Sequence, residues 1–440
     1  MNKIKMLSFF SGIGAFEKAL EKLGVEYELI GYSEIDKYAS KAYALIHNVP
    51  ESKNLGDISK IDTSTLNISD LDLLTYGFPC QDISSAGKQK GLFNSDGTKT
   101  RSGLFFEALR IIEDLKPKYA VAENVKNLTS NKFRKQFDII LKSLEEAGYN
   151  NYYQVLNSKD FGIPQNRDRV FIVSIRKDID KGFCFPKGFP LKKRLKDLLE
   201  EHPNEKYYLD SVKNFFIMNS LKQEAKGNGF RFSPHVRNNA NIAKTLTTRS
   251  GSRMDDNYIV DIEDEERESI CFNKELLDLE DSKVKCLRLG NIYGENYGTG
   301  YAGNVWSKEG VSPTLTTALG GNRQPLVMDE IALKKLFDIP KDIMRDFEYK
   351  RRVYSLEGQS PTITVNNSPK ILCDLNIRKL TPKECFRLMG FEDRDFEILV
   401  KNGISDTQLY RMAGNSIVVD VLEAIFKNLL LDKKKVGFCF

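Results

Sequence analysis

The chain has 440 residues, a formal net charge of +5 and a hydrophobic content of 41%. This composition predicts a soluble globular protein with two or more domains, and no stretch is apolar for long enough to span a membrane. The N-terminus lacks signal-peptide architecture, so we expect a cytoplasmic location. The seven cysteines include no CxxC pair and there are only three histidines. We therefore expect reduced thiols, no metal site and no disulfide framework.

Residues 3–176 alternate strand-like and helix-like segments. Strands are predicted at the apolar runs Ile4 to Phe10, Tyr27 to Ser33, Leu71 to Tyr76, Tyr119 to Asn124 and Arg169 to Ile175. Helices are predicted where apolar residues recur at helical spacing, beginning at Phe16, Phe105 and Phe137. Each pattern is followed by a residue that ends helices, namely Gly24, Pro117 and Gly148. This alternation predicts an α/β fold, with a mostly parallel sheet covered by helices on both faces.

From about residue 186 the helical periodicity fades, and Gly, Asn, Ser and Thr accumulate. Related phrases recur around Thr245, Thr314 and Thr362, and their unequal spacing disfavours a solenoid repeat. We interpret them as short β segments, with functional duplication as the alternative. Helical patterning returns with a predicted capping box at Thr381 and Glu384, and Ser416 is predicted to cap a final helix. The expected domains are therefore 1–185, 186–407 and a return of the chain to the first domain over 408–440.

The strand that ends at Tyr76 is followed by Gly-Phe-Pro-Cys, and Pro79 cannot continue a sheet ladder. Cys80 is therefore expected at the carboxyl edge of the sheet, where open α/β folds place their chemistry. A thiolate at this edge would be a strong nucleophile. A buried structural cysteine is an equally good interpretation of this position alone.

A second candidate site follows the first strand. Gly12 and Gly14 permit a tight turn that brings the backbone close to a ligand. Glu34 comes 20 residues after Gly14, at the end of the next predicted strand, where an acid can bind ribose hydroxyls. The sequence has no GxGxxG motif, which argues against a dinucleotide.

Five short blocks occur in order: the Gly12–Gly14 turn, Pro79-Cys80-Gln81, Glu123-Asn124-Val125, Gln165 to Arg169, and Gly414-Asn415-Ser416. Each is weak alone, but the ordered set is very specific. In these blocks the chain resembles the cytosine-5 DNA methyltransferases, over about residues 1–178 and 376–430. The resemblance implies a Rossmann-like methyltransferase sheet with helices on both faces, plus a smaller, mostly β or irregular target-recognition domain.

The resemblance also implies the cofactor, S-adenosyl-L-methionine. Phe10 and Ile35 would lie by the adenine, Glu34 would hold the ribose, and Asp57 would bind the adenine amino group. The other residues that it places around the cofactor are Gly12, Gly14, Ile58, Phe78, Leu104, Asn415 and Ser416. Ile35 stands where the family often has an aromatic residue, which affects the strength of stacking and not the identity of the cofactor.

The resemblance assigns the nucleophile to Cys80, which would add to carbon 6 of cytosine and activate carbon 5. Glu123, if protonated, would donate to ring nitrogen 3, since a partly buried carboxyl can keep its proton near neutral pH. Asn124 would orient the loop that carries Glu123. Arg167 and Arg169 would hold the base carbonyl and the carboxylate. The alternative for Glu123 and the arginines is a structural ion-pair network at the strand ends.

The target carbon is inaccessible inside a duplex, so such an enzyme must flip its base out of the stack. The polar segment 82–101 suits a lid over that base. The residues expected to contact DNA are Gln81, Ser84, Arg323, Gln324 and Thr362. Arg323 and Gln324 would read base edges, with loop-surface polarity as their alternative. Thr362 is preferred as the threonine beside the flipped nucleotide, and Thr245 and Thr314 compete for that role.

These observations predict a DNA cytosine-5 methyltransferase of the bacterial or phage modification type. It would act as a monomer on double-stranded DNA, in a restriction-modification or phage self-protection system, with a cognate endonuclease as a possible neighbour. An RNA cytosine-5 methyltransferase with the same core is one alternative. A catalytically inactive DNA-binding regulator is another, although a pure binder has no need of Cys80, Glu123 and Arg167.

Overall fold

A computed structural model of the chain describes residues 3–66, 68–80, 82–83, 91–94, 96–209, 234–248, 250–251, 256–261, 288–291, 304–306, 326–327, 335–338, 352–355, 370–372 and 376–431. The chain divides into two compact units. Unit 1 contains Met1–Tyr208, Pro234–Ile259 and Arg378–Phe440, and unit 2 contains Leu209–Ser233 and Val260–Ile377. This division differs from the expected boundaries at 186 and 407, because Leu195, Leu246 and Leu399 belong to the same hydrophobic core as Phe16.

The first seven strands are β1 (Ile4–Phe9), β2 (Tyr27–Ser33), β3 (Leu73–Tyr76), β4 (Tyr119–Val125), β5 (Tyr149–Asn157), β6 (Gln165–Asn166) and β7 (Asp168–Arg176). All except β6 form one sheet with the order β2-β1-β3-β4-β7-β5. Strands β1 to β4 pair in parallel, and β7 runs antiparallel between β4 and β5. The predicted mostly parallel sheet is therefore confirmed. The strand order reverses at β1, which is where open α/β sheets bind ligands.

Four helices are interleaved with these strands: α1 (Ala15–Lys22), α2 (Lys37–His47), α3 (Phe105–Leu115) and α4 (Arg134–Glu146). Side chains alternate across a strand, so neighbouring residues of β1 enter different cores. Met6 packs in the same cluster as Phe16 of α1, whereas Leu7 packs with Phe105 of α3 and Phe137 of α4. The helices predicted from apolar spacing at these three phenylalanines are confirmed, and both faces of the sheet are covered.

The C-terminal part of unit 1 adds α5 (Pro382–Arg387), α6 (Asp393–Lys401), α7 (Asp406–Asn415), α8 (Val419–Phe426) and a π-helical turn at Lys427–Leu431. The predicted capping box at the start of α5 is confirmed, because Thr381 and Glu384 each accept a hydrogen bond from the other's backbone N–H. The prediction that Ser416 caps the final helix is wrong. Ser416 follows α7 in extended conformation, and the chain stays extended through Val418, so α8 begins only at Val419.

The remaining strands are short: β8 (His235–Val236), β9 (Ala243–Lys244), β10 (Tyr258–Asp261), β11 (Arg288–Asn291), β12 (Asn304–Trp306), β13 (Leu326–Val327), β14 (Lys335–Asp338), β15 (Arg352–Ser355), β16 (Lys370–Leu372) and β17 (Asn376–Lys379). They form three-stranded sheets in the orders β17-β10-β8, β11-β12-β13 and β14-β15-β16. Strand β9 pairs in parallel with β6. Of the three phrases predicted as short β segments, the first begins with β9, and those around Thr314 and Thr362 lie outside the described residues.

The structure also bears on three expectations drawn from composition, which concern membrane spans, metal sites and thiols. In the part of the chain that the structure describes, every helix is too short or too polar to span a bilayer. Within the same residues, no group of three or more His, Cys, Asp or Glu side chains could hold a metal ion. Cys184 is disulfide-bonded, which differs from the expectation of reduced thiols, whereas Cys80 and Cys385 are free.

Candidate active site

Cys80 follows the carboxyl end of β3. Phe78 is buried and its ring packs edge-on against Phe105, with centroids 5.6 Å apart. Past Pro79 the chain turns, and the Ile83 backbone N–H donates to the Cys80 carbonyl at 3.0 Å. The Cys80 side chain is half-buried. The sheet edge that the sequence predicted for this thiol is where the structure places it.

Glu123 and Arg169 meet at the neighbouring strand ends. Strands β4 and β7 pair so that Val125 lies opposite Arg169, and Arg169 Nε lies 2.8 Å from Glu123 Oε1. A Cβ atom on Gly77 would lie 3.8 Å from Glu123 Oε2, which puts the carboxyl against the β3 loop. Burial raises the pKa of Glu123, and the charges of Arg169 and Arg167 only partly offset it. The site thus favours a carboxyl that can keep a proton.

The thiol of Cys80 responds to the same charges. Burial and the Glu123 carboxylate raise the pKa of Cys80 above its ordinary value, while Arg169 and Arg167 act in the opposite direction. The thiol is therefore protonated at neutral pH in the free protein. A nucleophile in this state needs a change in the local charge to ionise.

Asn124 bridges the two strand ends. Its Nδ2 donates to the Phe78 carbonyl at 3.0 Å, and its Oδ1 accepts from the Val125 backbone N–H at 2.8 Å. A few residues later, Asn127 Nδ2 donates to the Ile83 carbonyl at 2.5 Å. Asn124 therefore orients the loop of Cys80 as well as the end of its own strand.

Arg167 is almost fully buried, and the ion pair with Glu123 is made by Arg169 instead. Its Nη1 donates to the Leu246 carbonyl at 2.9 Å, and its Nη2 donates to the carbonyls of Gly414 at 3.1 Å and Ser416 at 2.7 Å. Burial, together with the charge of Arg169, lowers the pKa of Arg167 to about 9, so it remains a cation at neutral pH. Backbone carbonyls thus occupy both terminal nitrogens, while Nε is buried without a partner among the described residues. The expected contact with a base carbonyl stays a prediction.

The glycine turn lies at the carboxyl end of β1. The Gly14 backbone N–H donates to the Ser11 carbonyl at 2.9 Å, and Phe10 adopts a positive φ of 52° that a non-glycine residue seldom adopts without a functional reason. Glu34 is tied to this turn, since its Oε2 accepts from the Gly12 backbone N–H at 2.9 Å. Burial raises the pKa of Glu34, with partial compensation from backbone N–H donors at Asp36 and Gly12.

The other residues predicted to bind the cofactor are spread around this turn. Phe10, Phe78 and Leu104 belong to one hydrophobic cluster, in which Ile58 is also buried. Ile35 is 78% exposed. Asp57 accepts hydrogen bonds from the Ser59 hydroxyl and backbone N–H, which lower the pKa of Asp57. Asn415 is exposed and Ser416 is buried, and the main chain of Ser416 is the part that contacts Arg167.

The segment around Thr245 contacts Gln165 and Asn166, and the sequence patterns do not predict this contact. The Thr245 hydroxyl donates to the Asn166 carbonyl at 2.6 Å, and the Leu246 backbone N–H donates to Gln165 Oε1 at 3.0 Å. This segment thus lies against the block that carries Arg167. The pairing was not predictable from periodicity because β6 and β9 have two residues each. The predicted DNA contacts Gln81, Ser84, Arg323, Gln324 and Thr362, with the competitor Thr314, lie outside the described residues.

A family model for C-5 cytosine-specific DNA methylases matches residues 4–431. The chain belongs to this family. It is 34% identical to the orphan methyltransferase M.SPRI of Bacillus phage SPR, with 98% of each chain covered. It is also 34% identical to the putative type II methyltransferase M.BsuMIIP of Bacillus subtilis strain 168, with 98% of each chain covered. The predicted family and enzyme class are therefore confirmed, and the protein is a DNA (cytosine-5-)-methyltransferase.

The fold agrees with a solved structure. The methyltransferase EhMeth of Entamoeba histolytica superposes with a TM-score of 0.59 at 16% identity, covering 99% of this chain and 100% of that chain. At this identity the likeness concerns the fold alone. The C-5 cytosine-specific family generally uses S-adenosylmethionine, and its substrate is DNA.

Proposed function

We propose that unit 1 transfers a methyl group from S-adenosylmethionine to carbon 5 of a cytosine flipped out of double-stranded DNA, through a covalent adduct with Cys80. The observation that carries the proposal is the pairing of Glu123 with Arg169 at 2.8 Å beside the half-buried thiol. A nucleophile, a carboxyl that holds a proton and a fixed cation at adjacent strand ends form the set that addition to a pyrimidine ring needs.

The cofactor site in this proposal is the turn after β1. A Cβ atom on Gly12 would meet nothing within 4 Å, so a ligand can approach the backbone there. Glu34, held at Gly12, would accept hydrogen bonds from the ribose. The remaining cofactor residues are proposed from the family resemblance: Phe10, Gly14, Ile35, Asp57, Ile58, Phe78, Leu104, Asn415 and Ser416. The bound cofactor would supply an electrophilic methyl group to carbon 5.

The proposed roles of Cys80, Glu123 and Arg169 follow from the charge and protonation state of each side chain. The Cys80 thiol first loses its proton to solvent, and the resulting thiolate adds to carbon 6 of cytosine. Protonated Glu123 donates to nitrogen 3, which receives the electron pair displaced by the addition. After carbon 5 is methylated, a base removes the proton from carbon 5. The Cys80 sulfur then leaves carbon 6, and the proton on nitrogen 3 returns to Glu123. Arg169 holds the carboxyl in place throughout.

We propose a positioning role for Arg167 rather than a contact with the base. Its three carbonyl contacts tie the strand end to the segments around Leu246 and Ser416. Thr245, adjacent to Leu246, then becomes a stronger candidate than Thr362 for the threonine beside the flipped nucleotide. Support comes from its hydrogen bond to Asn166, the residue before Arg167.

Target recognition is proposed for the region between the catalytic blocks, and chiefly for unit 2. Arg323 and Gln324 remain predictions as base-edge readers, as do Gln81, Ser84 and Thr362 as DNA contacts. We further propose a monomer that acts in a restriction-modification or phage self-protection system, with a cognate endonuclease encoded nearby in the first case. The names of its relatives, orphan methyltransferases of Bacillus phages and type II methyltransferases, are compatible with both settings.

Trapping on DNA with 5-fluorocytosine at the target position tests the covalent step. After addition and methylation, release requires loss of the substituent at carbon 5, and fluorine cannot leave as a cation. The protein should therefore remain attached to DNA through denaturing electrophoresis, and only when S-adenosylmethionine is present. Cys80→Ser should abolish the adduct because a serine hydroxyl is far less ionised.

Cys385→Ala is the matched control, since Cys385 is free and buried in α5, and it should keep the adduct. The recognition sequence must first be mapped by genomic methylation sequencing of cells that express the chain. A protein–DNA adduct that persists in Cys80→Ser would refute the assignment of Cys80 as the nucleophile. Adduct formation on fluorinated RNA in preference to duplex DNA would favour the RNA alternative.

A further inference from the structure

A histidine lies directly behind the glycine turn. His47 is the last residue of α2, and its side chain is 0% exposed. Its Nε2 lies 3.1 Å from the Ile13 carbonyl, in the middle of the turn, and its Nδ1 lies 2.7 Å from Glu21 Oε1 on α1. A Cβ atom on Gly14 would come within 2.0 Å of His47 Nε2. The turn therefore rests on the imidazole ring.

Both partners of this ring are acceptors. A backbone carbonyl has no proton to donate. The Glu21 carboxyl is already surrounded by donors, because the Tyr27 hydroxyl donates to Oε1 at 3.2 Å and Lys18 Nζ lies 3.7 Å from Oε2. A neutral imidazole has one N–H and one lone pair, so it can satisfy only one of its two partners. Only the doubly protonated ring donates to both.

We infer that His47 is a buried imidazolium that holds the Ser11–Gly14 turn in its ligand-binding shape and thereby makes cofactor affinity depend on pH. The inference rests on the cofactor site of the proposed function. It makes His47 a positioning residue, since it acts on the ligand through the turn and not by contact.

The charges around the ring agree with this assignment. Glu17 and Glu21 act on the ring from α1, and the Tyr43 ring of its own helix packs against it with centroids 4.8 Å apart. Lys18 and Tyr27 contact the Glu21 carboxyl, and burial raises the pKa of Glu17. Lys18 is itself neutralised by Asp395 of α6 at 2.7 Å. Burial alone would lower the pKa of His47, but the bond to Glu21 and the charges of Glu17 and Glu21 outweigh it and raise the pKa.

The consequence of losing the proton follows from the two partners. Because a carboxylate is the stronger acceptor, the remaining proton stays on Nδ1 with Glu21. The Nε2 lone pair then faces the Ile13 carbonyl oxygen at 3.1 Å, and the two repel. Because the pKa is raised in the folded protein, the stabilisation is complete below the ordinary value of about 6.5. It is lost as pH rises through the higher folded value.

Nitrogen NMR of the wild-type chain tests the protonation state without any folding risk. The sequence contains three histidines, so long-range proton–nitrogen spectra of histidine-labelled protein are simple, and His47→Gln and His202→Gln assign them. His202 is exposed and serves to assign the spectra. His47 should retain two protonated nitrogens at pH values above about 6.5, where a free imidazole is mostly neutral. A neutral His47 ring at pH 6.5 would overturn the inference.

Affinity for S-adenosylhomocysteine, measured by calorimetry across pH, tests the coupling. The ligand's own amino group titrates equally in every variant, so ratios of dissociation constants isolate the protein. Relative to His47→Gln, the wild type should lose about tenfold in affinity as pH rises through the His47 pKa, the scale of one charge-assisted hydrogen bond. Glu21→Gln should move this step to lower pH, because a neutral acceptor stabilises the imidazolium less. His202→Gln should leave it unchanged.

The same step should appear in KM for S-adenosylmethionine and not in kcat, because saturating cofactor restores the turn. Failure of this inference is distinct from failure of the proposed function. If cofactor affinity depends on Glu34 but has the same pH profile in the wild type and in His47→Gln, the role of His47 alone is refuted. Affinity that is insensitive to both Glu34→Ala and Gly12→Ala would remove the cofactor from this turn altogether.

Discussion

The two glycines of the turn after β1 should differ in which property alanine impairs more, stability at Gly14 and cofactor affinity at Gly12. Both have positive φ, 57° for Gly12 and 79° for Gly14, so alanine at either position carries a backbone cost of about 1–2 kcal/mol. They differ in surroundings. A Cβ atom on Gly12 would face open space, whereas one on Gly14 would come within 2.0 Å of the buried His47 ring.

Gly14→Ala must therefore displace a packed imidazole, which adds about 1–3 kcal/mol. The expected loss of unfolding free energy is about 2–5 kcal/mol for Gly14→Ala and about 1–2 kcal/mol for Gly12→Ala. The order should reverse for ligand binding. Gly12→Ala puts a methyl group where the proposed cofactor approaches the backbone, so its affinity for S-adenosylhomocysteine should fall well beyond its loss of stability.

Urea denaturation followed by circular dichroism gives the stabilities, and calorimetry gives the affinities. The double variant Gly14→Ala/His47→Ala is the control. It should recover the packing part of the loss and leave the backbone cost, so the two substitutions should be non-additive. Equal destabilisation by Gly12→Ala and Gly14→Ala, or an additive double variant, would refute the contact between the turn and His47.

Three further outcomes follow from the described contacts. The rate of Cys80 alkylation by iodoacetamide should rise with pH through a pKa above the ordinary cysteine value. Glu123→Gln should lower that pKa and Arg169→Met should raise it. An unshifted pH profile in both variants would show that the Glu123–Arg169 pair does not act on the thiol. Arg167→Lys should cost at least about 3 kcal/mol of stability, measured by urea denaturation, because three buried carbonyls lose a forked donor and each orphaned acceptor costs about 1–3 kcal/mol. Glu384→Gln should cost about 3–5 kcal/mol in the same assay, since it leaves the fully buried Arg378 guanidinium without its carboxylate; a loss below 1 kcal/mol would show that the pair is dispensable.

Most of the structural elements that could be predicted from the sequence rest on local sequence patterns. The strand before Cys80, the helix after Gly14 and the capping box at Thr381 each depend on residues within a few positions of one another, so periodicity and capping rules apply directly. Helix α2 was missed although Asp36 caps it, accepting from the Tyr38 and Ala39 backbone N–H groups. Strand β5 was missed because it lies at the sheet edge and is mostly polar. Its sequence, Tyr-Asn-Asn-Tyr-Tyr-Gln-Val-Leu-Asn, has neither the apolar run nor the apolar–polar alternation from which strands are predicted.

The candidate site was predictable only in part, for a physical reason. Cys80 follows β3 and Glu123 lies near the end of β4, and the carboxyl ends of neighbouring parallel strands meet at one sheet edge. Arg169 lies near the start of β7, which runs antiparallel to β4, so it reaches the same edge. Their proximity therefore follows from topology. The environment of His47 does not, because it depends on the distance between α1 and α2 and on the bend of the turn. No pattern in the sequence shows that both ring nitrogens face acceptors.

Arg167 illustrates how contacts remote in sequence complete the site. Its partners Leu246, Gly414 and Ser416 are 79 to 249 residues away along the chain. A Cβ atom on Gly414 would lie 2.4 Å from the Thr247 carbonyl carbon, so only glycine lets these two segments approach closely enough to share one guanidinium. Residues after 378 thus belong to unit 1 and supply two of the three carbonyls that hold Arg167 next to the strand of Arg169.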